Sequence, residues 1–361
     1  MHELALRRLH NQRLTDAKLE TPAAVVGWLG AMQAQEYAHA KWALGLRMDG
    51  ATDKLIEQAF TDGDILRTHV MRPTWHFVTP EEIRWLLALT APRVHTVNGS
   101  MYRKLELDDV LLAHATDVLA KALQGGNHLT RKQLGDALAQ AGINYDGLRL
   151  AYIVMYAELE AILCSGPRRG KQFTYALLNE RAPQAKTLPH DEALVTLTKR
   201  FFTSHGPATV DDFAWWSGLT KAEVRAGLEM TQPDIIADEI DGQTYWRAAS
   251  NVEYSDEPSS PTAWLLPPYD EYGIAYKTHH ASIIDPDHIE LAKNSIFGGT
   301  IMIDGQILGY WRRSFNKGAV EVELMPFRPL TAVELEAVEM AVQRFGEFIE
   351  MPVALLDSTS R

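Results

Sequence analysis

Three times in its first 250 residues the sequence runs through short helices and then two strands joined by a turn, and this repetition constrains the fold most. The first copy predicts helices near 2–12, 22–32 and 52–62, then strands at Leu66–Arg72 and Thr74–Thr79. In the second, helices near 108–124, 130–141 and 146–160 precede Ile162–Ser165 and Phe173–Leu177, which flank the basic turn Gly166–Lys171. Helices near 190–204, 209–216 and 220–230 form the third, with strands at Ile235–Asp238 and Thr244–Arg247 around Asp241-Gly242, a strong hairpin signal. Helix starts carry capping chemistry: Thr21-Pro22 sets proline at the first helical position, and Thr130 and Thr209 open capping boxes. Helices followed by a hairpin make a winged helix, a helix-turn-helix with a β-wing.

After a polar linker at 251–259 the texture changes to strands: Trp264–Leu266, Thr300–Ile303, Ile307–Trp311 and Val320–Leu324. A helix from 331 to 349 and a strand at Val353–Leu356 close the chain. The expected class is α+β, with three tandem winged-helix modules (1–100, 101–188 and 189–250) and a small β-rich α+β domain (260–361).

Composition removes several classes. With 46% hydrophobic residues the 361-residue chain can bury real cores, and no run approaches the length of a membrane span. Met1-His2-Glu3-Leu4 leads into no secretory signal, and one cysteine, Cys164, fits a reducing cytoplasm, so a cytoplasmic protein is expected. The net charge of −12 opposes nucleic-acid binding only as a sum: residues 1–190 carry 22 Lys and Arg against 20 Asp and Glu, and residues 191–361 carry 13 against 27. An N-terminal half free of excess negative charge can engage a phosphate backbone. An acidic second half equally suits a protein-interaction scaffold.

Gln33-Ala34-Gln35 follows the apolar helical run Val25, Val26, Leu29 and Met32, and Arg67–Val78 contains Arg72-Pro73-Thr74-Trp75-His76. Together they resemble the signature of the AlkZ-like winged-helix DNA glycosylases, which remove alkylated bases and unhook interstrand crosslinks. Leu265–Tyr272 and Gly309–Arg313 also resemble segments of that family. The resemblance implies a monofunctional glycosylase with Gln33 and Gln35 as catalytic amides, hydrolysing cationic N-alkylated purines such as N7-alkylguanine. It implies duplex DNA as partner, water as nucleophile, no cofactor and no metal, and a three-module clamp can act as a monomer.

Two residues apart on a helix point about 200° away from each other, whereas on an extended backbone they point the same way. For Gln33 and Gln35 to share one site, the helix from Pro22 must end near Met32 with Ala34 turned inward. Two glutamines at a helix end can equally serve as its cap. Arg72, Thr74 and His76 alternate, so they share a strand face with Trp75 opposite as a core anchor. With Arg67 they are candidates for DNA or lesion contact. Arg168, Arg169 and Lys171 on the second wing, and Arg312, Arg313 and Lys317 around a later turn, are candidate phosphate contacts. His69 and His76 have no accompanying cysteine and fit no zinc spacing. Asp270 offers a carboxylate, with a structural role at the domain junction as the alternative. Tandem winged helices also occur in DNA-binding regulators without catalysis, although the helix near 146–160 is mostly apolar and so a poor reading helix.

Overall fold

The computed structural model describes residues 2–15, 18–251, 260–277, 298–316 and 318–356. Within the first segment, helix α1 (His2–Asn11) is followed by α2 (Pro22–Leu29), strand β1 (Met32–Gln33), α3 (Tyr37–Gly45), α4 (Asp53–Asp62), β2 (Leu66–Val70) and β3 (Arg72–Val78). Thr21 caps α2 through Ala24 N–H, and Gly30, at φ 88°, stops the helix three residues earlier than the sequence suggests. The released chain extends as β1 and pairs antiparallel with β3, Met32 opposite Phe77 and Gln33 opposite His76.

The same order recurs twice. Helix α5 (Ile83–Lys104) leads into α6 (Asp109–Leu123), β4 (Leu129–Thr130), α7 (Arg131–Gln140), α8 (Arg149–Leu159), β5 (Leu163–Arg169) and β6 (Gln172–Leu177). After α9 (Leu178–Arg181) come α10 (His190–Ser204), α11 (Val210–Ser217), α12 (Lys221–Met230), β7 (Ile235–Ile240) and β8 (Gln243–Ala248). In each copy a helix, a short extended piece, two helices and a hairpin follow one another. The short piece always pairs with the second hairpin strand: β1 with β3, β4 with β6, and Ala208 with Trp246 of β8. Capping boxes at Thr130 and Thr209 start α7 and α11 as their spacing requires.

Among the described residues, two helices longer than a single turn escape the sequence pattern. In α3 seven residues are buried around most of its circumference (Tyr37, Ala40, Lys41, Trp42, Ala43, Leu44, Gly45), so no single apolar stripe announces it. Helix α5 carries Pro92 in its interior, a residue that normally marks a helix end.

The last segment has β9 (Ala263–Leu266), α13 (Glu271–Ile274), β10 (Gly299–Ile303), β11 (Gln306–Asn316), β12 (Ala319–Pro326), α14 (Ala332–Ile349) and β13 (Val353–Leu356). Its five strands lie in the order β13-β12-β11-β10-β9, antiparallel except for the β12–β13 pair. Residues 252–259 of the linker expected at 251–259, and Lys317, lie outside the described residues. Among those described, no helix is long and apolar enough to cross a membrane.

Cores do not follow the four chain segments. Leu9, Val26 and Trp42 share one core with Trp264, Leu265, Trp311 and Phe345, and Trp42 Nε1 donates to the Leu265 carbonyl at 2.7 Å. A second core joins Leu66, Val70 and Val78 to α5 and to Leu197, Phe201 and Trp216. Only the middle unit has a core largely its own, with Leu112, Leu119, Leu134 and Val154. The β1-β3-β2 sheet therefore lies between two cores. Met32, Ala34 and Phe77 face the first, while Leu66, Val70 and Val78 belong to the second.

A fully buried ion pair locks the first core. All five N–H donors of Arg47 are used: on the Gln12 carbonyl and side chain, the Ala43 carbonyl, and both Asp270 oxygens at 2.8 and 2.9 Å. Asp270 also caps α13 by accepting from Tyr272 N–H, so the carboxylate flagged in the sequence is structural. Removing one member leaves the other charge uncompensated in the interior, so Asp270→Ala should cost about 3–5 kcal/mol in urea unfolding. Arg47→Met with Asp270→Asn, which removes both charges and keeps the cap, should cost less. Equal losses in the two proteins would remove this account of the pair.

Candidate active site

With the helix stopped at Gly30, residues 32–35 run alongside β3. Ala34 N–H donates to the Trp75 carbonyl at 2.6 Å, and Ala34 is completely buried. Gln33 takes the opposite sheet face, and Gln35 lies in the bend that follows β1. Register aligns Gln33 with His76, and His76 with Thr68 across on β2, so these three side chains form a polar row on one sheet face. Arg72 and Thr74 extend that face along β3 toward solvent.

Each glutamine oxygen has a donor. Arg72 Nη2 reaches Gln33 Oε1 at 2.9 Å, and the Trp75 backbone N–H reaches Gln35 Oε1 at 3.4 Å. Gln33 is nearly buried and Gln35 is exposed. Arg72 is held from the other side by the Trp215 carbonyl at 3.5 Å, and its guanidinium lies 5.7 Å from the Trp215 ring. The indole itself stays 44% exposed beside the opening of the row.

The row has unmet hydrogen-bonding capacity. Thr68 Oγ1, Thr74 Oγ1, Arg72 Nε and His76 Nε2 are buried without a protein partner. His76 lies 3.0 Å through Nδ1 from the Thr74 carbonyl. Because a carbonyl only accepts, Nδ1 carries the proton and Nε2 presents a bare lone pair. Burial, with the nearby Arg72 charge, lowers the imidazole to about 3 and keeps it neutral. Several orphaned polar atoms converging beside two amides mark a place built for a polar ligand or water.

Behind Gln33 lies a carboxylate that sequence reasoning missed. Glu271 Oε1 accepts the Gln33 backbone N–H at 2.7 Å, Oε2 accepts Trp216 Nε1 at 2.9 Å, and His205 Nε2 is 3.5 Å away. Burial pushes the Glu271 carboxyl up, but the His205 side chain, the Gln33 N–H and the indole N–H outweigh it and hold it at about 2. Burial lowers His205. The only sequence signal was adjacency to Asp270; nothing local distinguishes the carboxylate that reaches Gln33 from the one that reaches Arg47.

The other candidates separate into two groups. Arg67 lies on the opposite sheet face, almost buried, its Nε on the Ala34 carbonyl at 2.9 Å and its Nη2 on the Gln35 carbonyl at 3.5 Å. It stacks over Trp75 and Phe173, and burial pulls it down to about 10. Trp75, expected as a core anchor, is only half-buried, stacked on the Arg67 guanidinium and against the His69 ring, both on its own sheet face. His69 pairs with buried Glu158 at 2.5 Å, so His69 and His76 lie on opposite faces and cannot share a metal. Arg168 turns inward to Glu57 at 3.1 Å and over the Tyr37 and Phe173 rings.

By contrast, Arg169, Lys171 and Arg312 are exposed, Arg169 donating to the His128 carbonyl at 2.8 Å. Arg313 is half-buried over Phe345. Burial and then the Arg313 charge lower His39, four residues past Gln35, to about 4. That brings the Arg313 strand close to the start of α3.

Residues 26–348 match the family described as DNA glycosylase AlkZ-like, and the chain belongs to that family. It is a DNA glycosylase. It is similar to the interstrand DNA cross-link repair glycosylase of Streptomyces sahachiroi, 26% identical over 378 residues with 97% of each chain covered. The solved Streptomyces sahachiroi DNA glycosylase AlkZ has the same mixed α and β fold, with a TM-score of 0.81 at 21% identity over 98% of this chain and 99% of that one.

The buried ionisable groups dictate the response to acid. His76 falls from 6.5 unfolded to about 3 folded, so its neutral form favours the fold above pH 6.5, and that contribution is lost as pH falls toward 3. Glu271 adds a loss in the same direction between 4.5 and about 2. Thermal unfolding midpoints should therefore decline on acidification below pH 6.5, and His76→Gln should flatten the upper part of that decline. An unchanged slope in the variant would show that His76 is not the group responsible.

Proposed function

We propose that this glycosylase hydrolyses the N-glycosidic bond of cationic N-alkylated purines of the N7-alkylguanine type in duplex DNA, with Gln33 and Gln35 as its catalytic amides. Carboxylate pairs normally carry such work, one protonating the leaving group and one activating water. A purine already alkylated at N7 leaves as a neutral base and needs no acid. What remains is to stabilise an oxocarbenium-like sugar and hold the attacking water, which amide oxygens accomplish by dipole and hydrogen bond. The observation that supports this reading is that Gln33 and Gln35 flank a buried Ala34, with each Oε1 held by a donor.

Water is the nucleophile and the product an abasic site, so no Schiff-base lysine takes part. Arg72, Thr74 and His76, whose orphaned atoms surround the amides, line the lesion site. Exposed Arg169, Lys171 and Arg312, with Arg313 and Lys317, contact phosphates. Arg67 and Arg168, whose donors are engaged within the protein, support the site from behind. Each helix–strand–helix–helix–hairpin unit is a winged helix, and the three curve around duplex DNA as a monomer. Unhooking of interstrand crosslinks is part of this proposal, prompted by the name of the Streptomyces sahachiroi relative. A purely regulatory DNA-binding role is disfavoured by α8, where seven residues of eleven are buried and few remain to read bases.

The test is abasic-site formation on a duplex carrying one N7-methylguanine. The native chain should release the base, while Gln33→Ala and Gln35→Ala should each lose roughly 10²–10³-fold in single-turnover rate. DNA affinity should be retained in both variants and should fall steeply with salt in all three proteins. A Gln35→Ala protein at native rate would eliminate the two-amide mechanism.

A further inference from the structure

We infer that Glu271 is a positioning residue for Gln33, mounted from the third repeat unit by His205 and Trp216; the inference rests on Gln33 being catalytic, as proposed above. Strand β1 is two residues long and pairs only with β3, so the Gln33 N–H points to the unpaired edge of its sheet. An edge N–H buried away from water needs an acceptor. Glu271 supplies it from 238 positions along the chain, at 2.7 Å.

A backbone carbonyl or a neutral amide could satisfy that N–H without bringing a charge indoors. An ionised carboxylate is a costly choice, and the surroundings are arranged to sustain it. Trp216 donates its ring N–H to Oε2 at 2.9 Å, and His205 Nε2 lies 3.5 Å from the same oxygen, both side chains fully buried. The His205 ring stacks on Phe201 at 4.8 Å, 10° from parallel, and that aromatic layer fixes the mount. Gln33 is thereby gripped twice, by an anion on its backbone N–H and by the Arg72 cation on its side-chain oxygen. Charge-assisted hydrogen bonds are shorter and stronger than neutral ones, and two of them on one residue leave little freedom for the amide oxygen. Holding a reacting geometry in this way contributes directly to rate, since a displacement of about 1 Å can cost roughly a hundredfold. The third unit thus reaches the reaction through Gln33, without any residue of α10 or α11 having to touch the sugar.

The experiment is a double-mutant cycle on the full chain, with enzyme in excess over a duplex bearing one N7-methylguanine. The proteins are native, Glu271→Gln, Gln33→Ala and the double variant; thermal unfolding and duplex affinity are measured for each. Glu271→Gln should slow base release about a hundredfold with duplex affinity unchanged. In the Gln33→Ala background the same change should have no further effect, because a residue acting through Gln33 has nothing left to act on. A structural role would instead lower both backgrounds equally, and that multiplicative result overturns the inference. Should Glu271→Gln fail to fold, Trp216→Phe removes one donor from the carboxylate while keeping the aromatic layer. Its loss should be smaller and again confined to the background that retains Gln33; loss in both backgrounds overturns the inference. Native rate in Glu271→Gln overturns the positioning role alone, whereas native rate in Gln33→Ala overturns the two-amide reading with it.

Discussion

Asp270 and Glu271 are neighbours in sequence, yet their carboxylates leave the start of a single helical turn for different parts of the N-terminal segment. One meets Arg47 behind α3, and the other meets the backbone of Gln33. Both are almost fully buried. A charge in the interior is tolerable only when its lone pairs and protons are matched, so the two contacts cannot slip independently. They fix where the C-terminal segment lies against the first sheet. Trp42 and Trp264 reinforce that placement through indole bonds to the Leu265 and Leu14 carbonyls. The first repeat unit therefore completes its core only once the last segment has docked.

From that closure the two faces of the β1-β3-β2 sheet acquire different chemistry. One face is filled: Ala34 and Phe77 are buried, and Arg67 lies under Trp75 with its Nε–H on the Ala34 carbonyl. The other face keeps four polar atoms unsatisfied within a few residues of both glutamines. Such an imbalance is destabilising in isolation, and a protein retains it where a ligand or water completes the bonding. The strand alternation that packs Ala34 inward is the same alternation that turns Gln33 onto the opposite face.

Local chemistry was legible in the sequence wherever it is local. Thr130 and Thr209 cap their helices, and Asp241-Gly242 turns a hairpin with positive φ at both residues. The extended course of Met32-Gln33 required Gly30 to end α2, which spacing left open. Helix α3 was hidden because burial on nearly every side erases periodicity, and α5 because Pro92 resembles a stop. Side-chain destinations were harder still. Arg168 looks like a wing-tip cation until Glu57, 111 positions away, draws it inward. Glu271 resembles any acidic residue after a proline-rich turn until its register against β1 is known. Each of these depends on a contact over a long sequence separation, which no window of the chain contains.

The proposed use of neutral amides for glycosidic cleavage follows from what surrounds them. Glu271 holds the Gln33 backbone and Arg72 holds its side chain, so the charges nearest the amide are already committed to each other's neighbourhood. His76 contributes a lone pair and no charge. Such a site offers dipoles and geometry but no acid to protonate a leaving base. In the proposed reaction the missing proton is replaced by the alkyl group on the damaged purine, whose positive charge makes the base a good leaving group. An undamaged purine brings no such charge and meets nothing that supplies one. Discrimination between damaged and normal DNA then lies in the chemistry of the bond itself, and the protein's part is to hold Gln33 and Gln35 still.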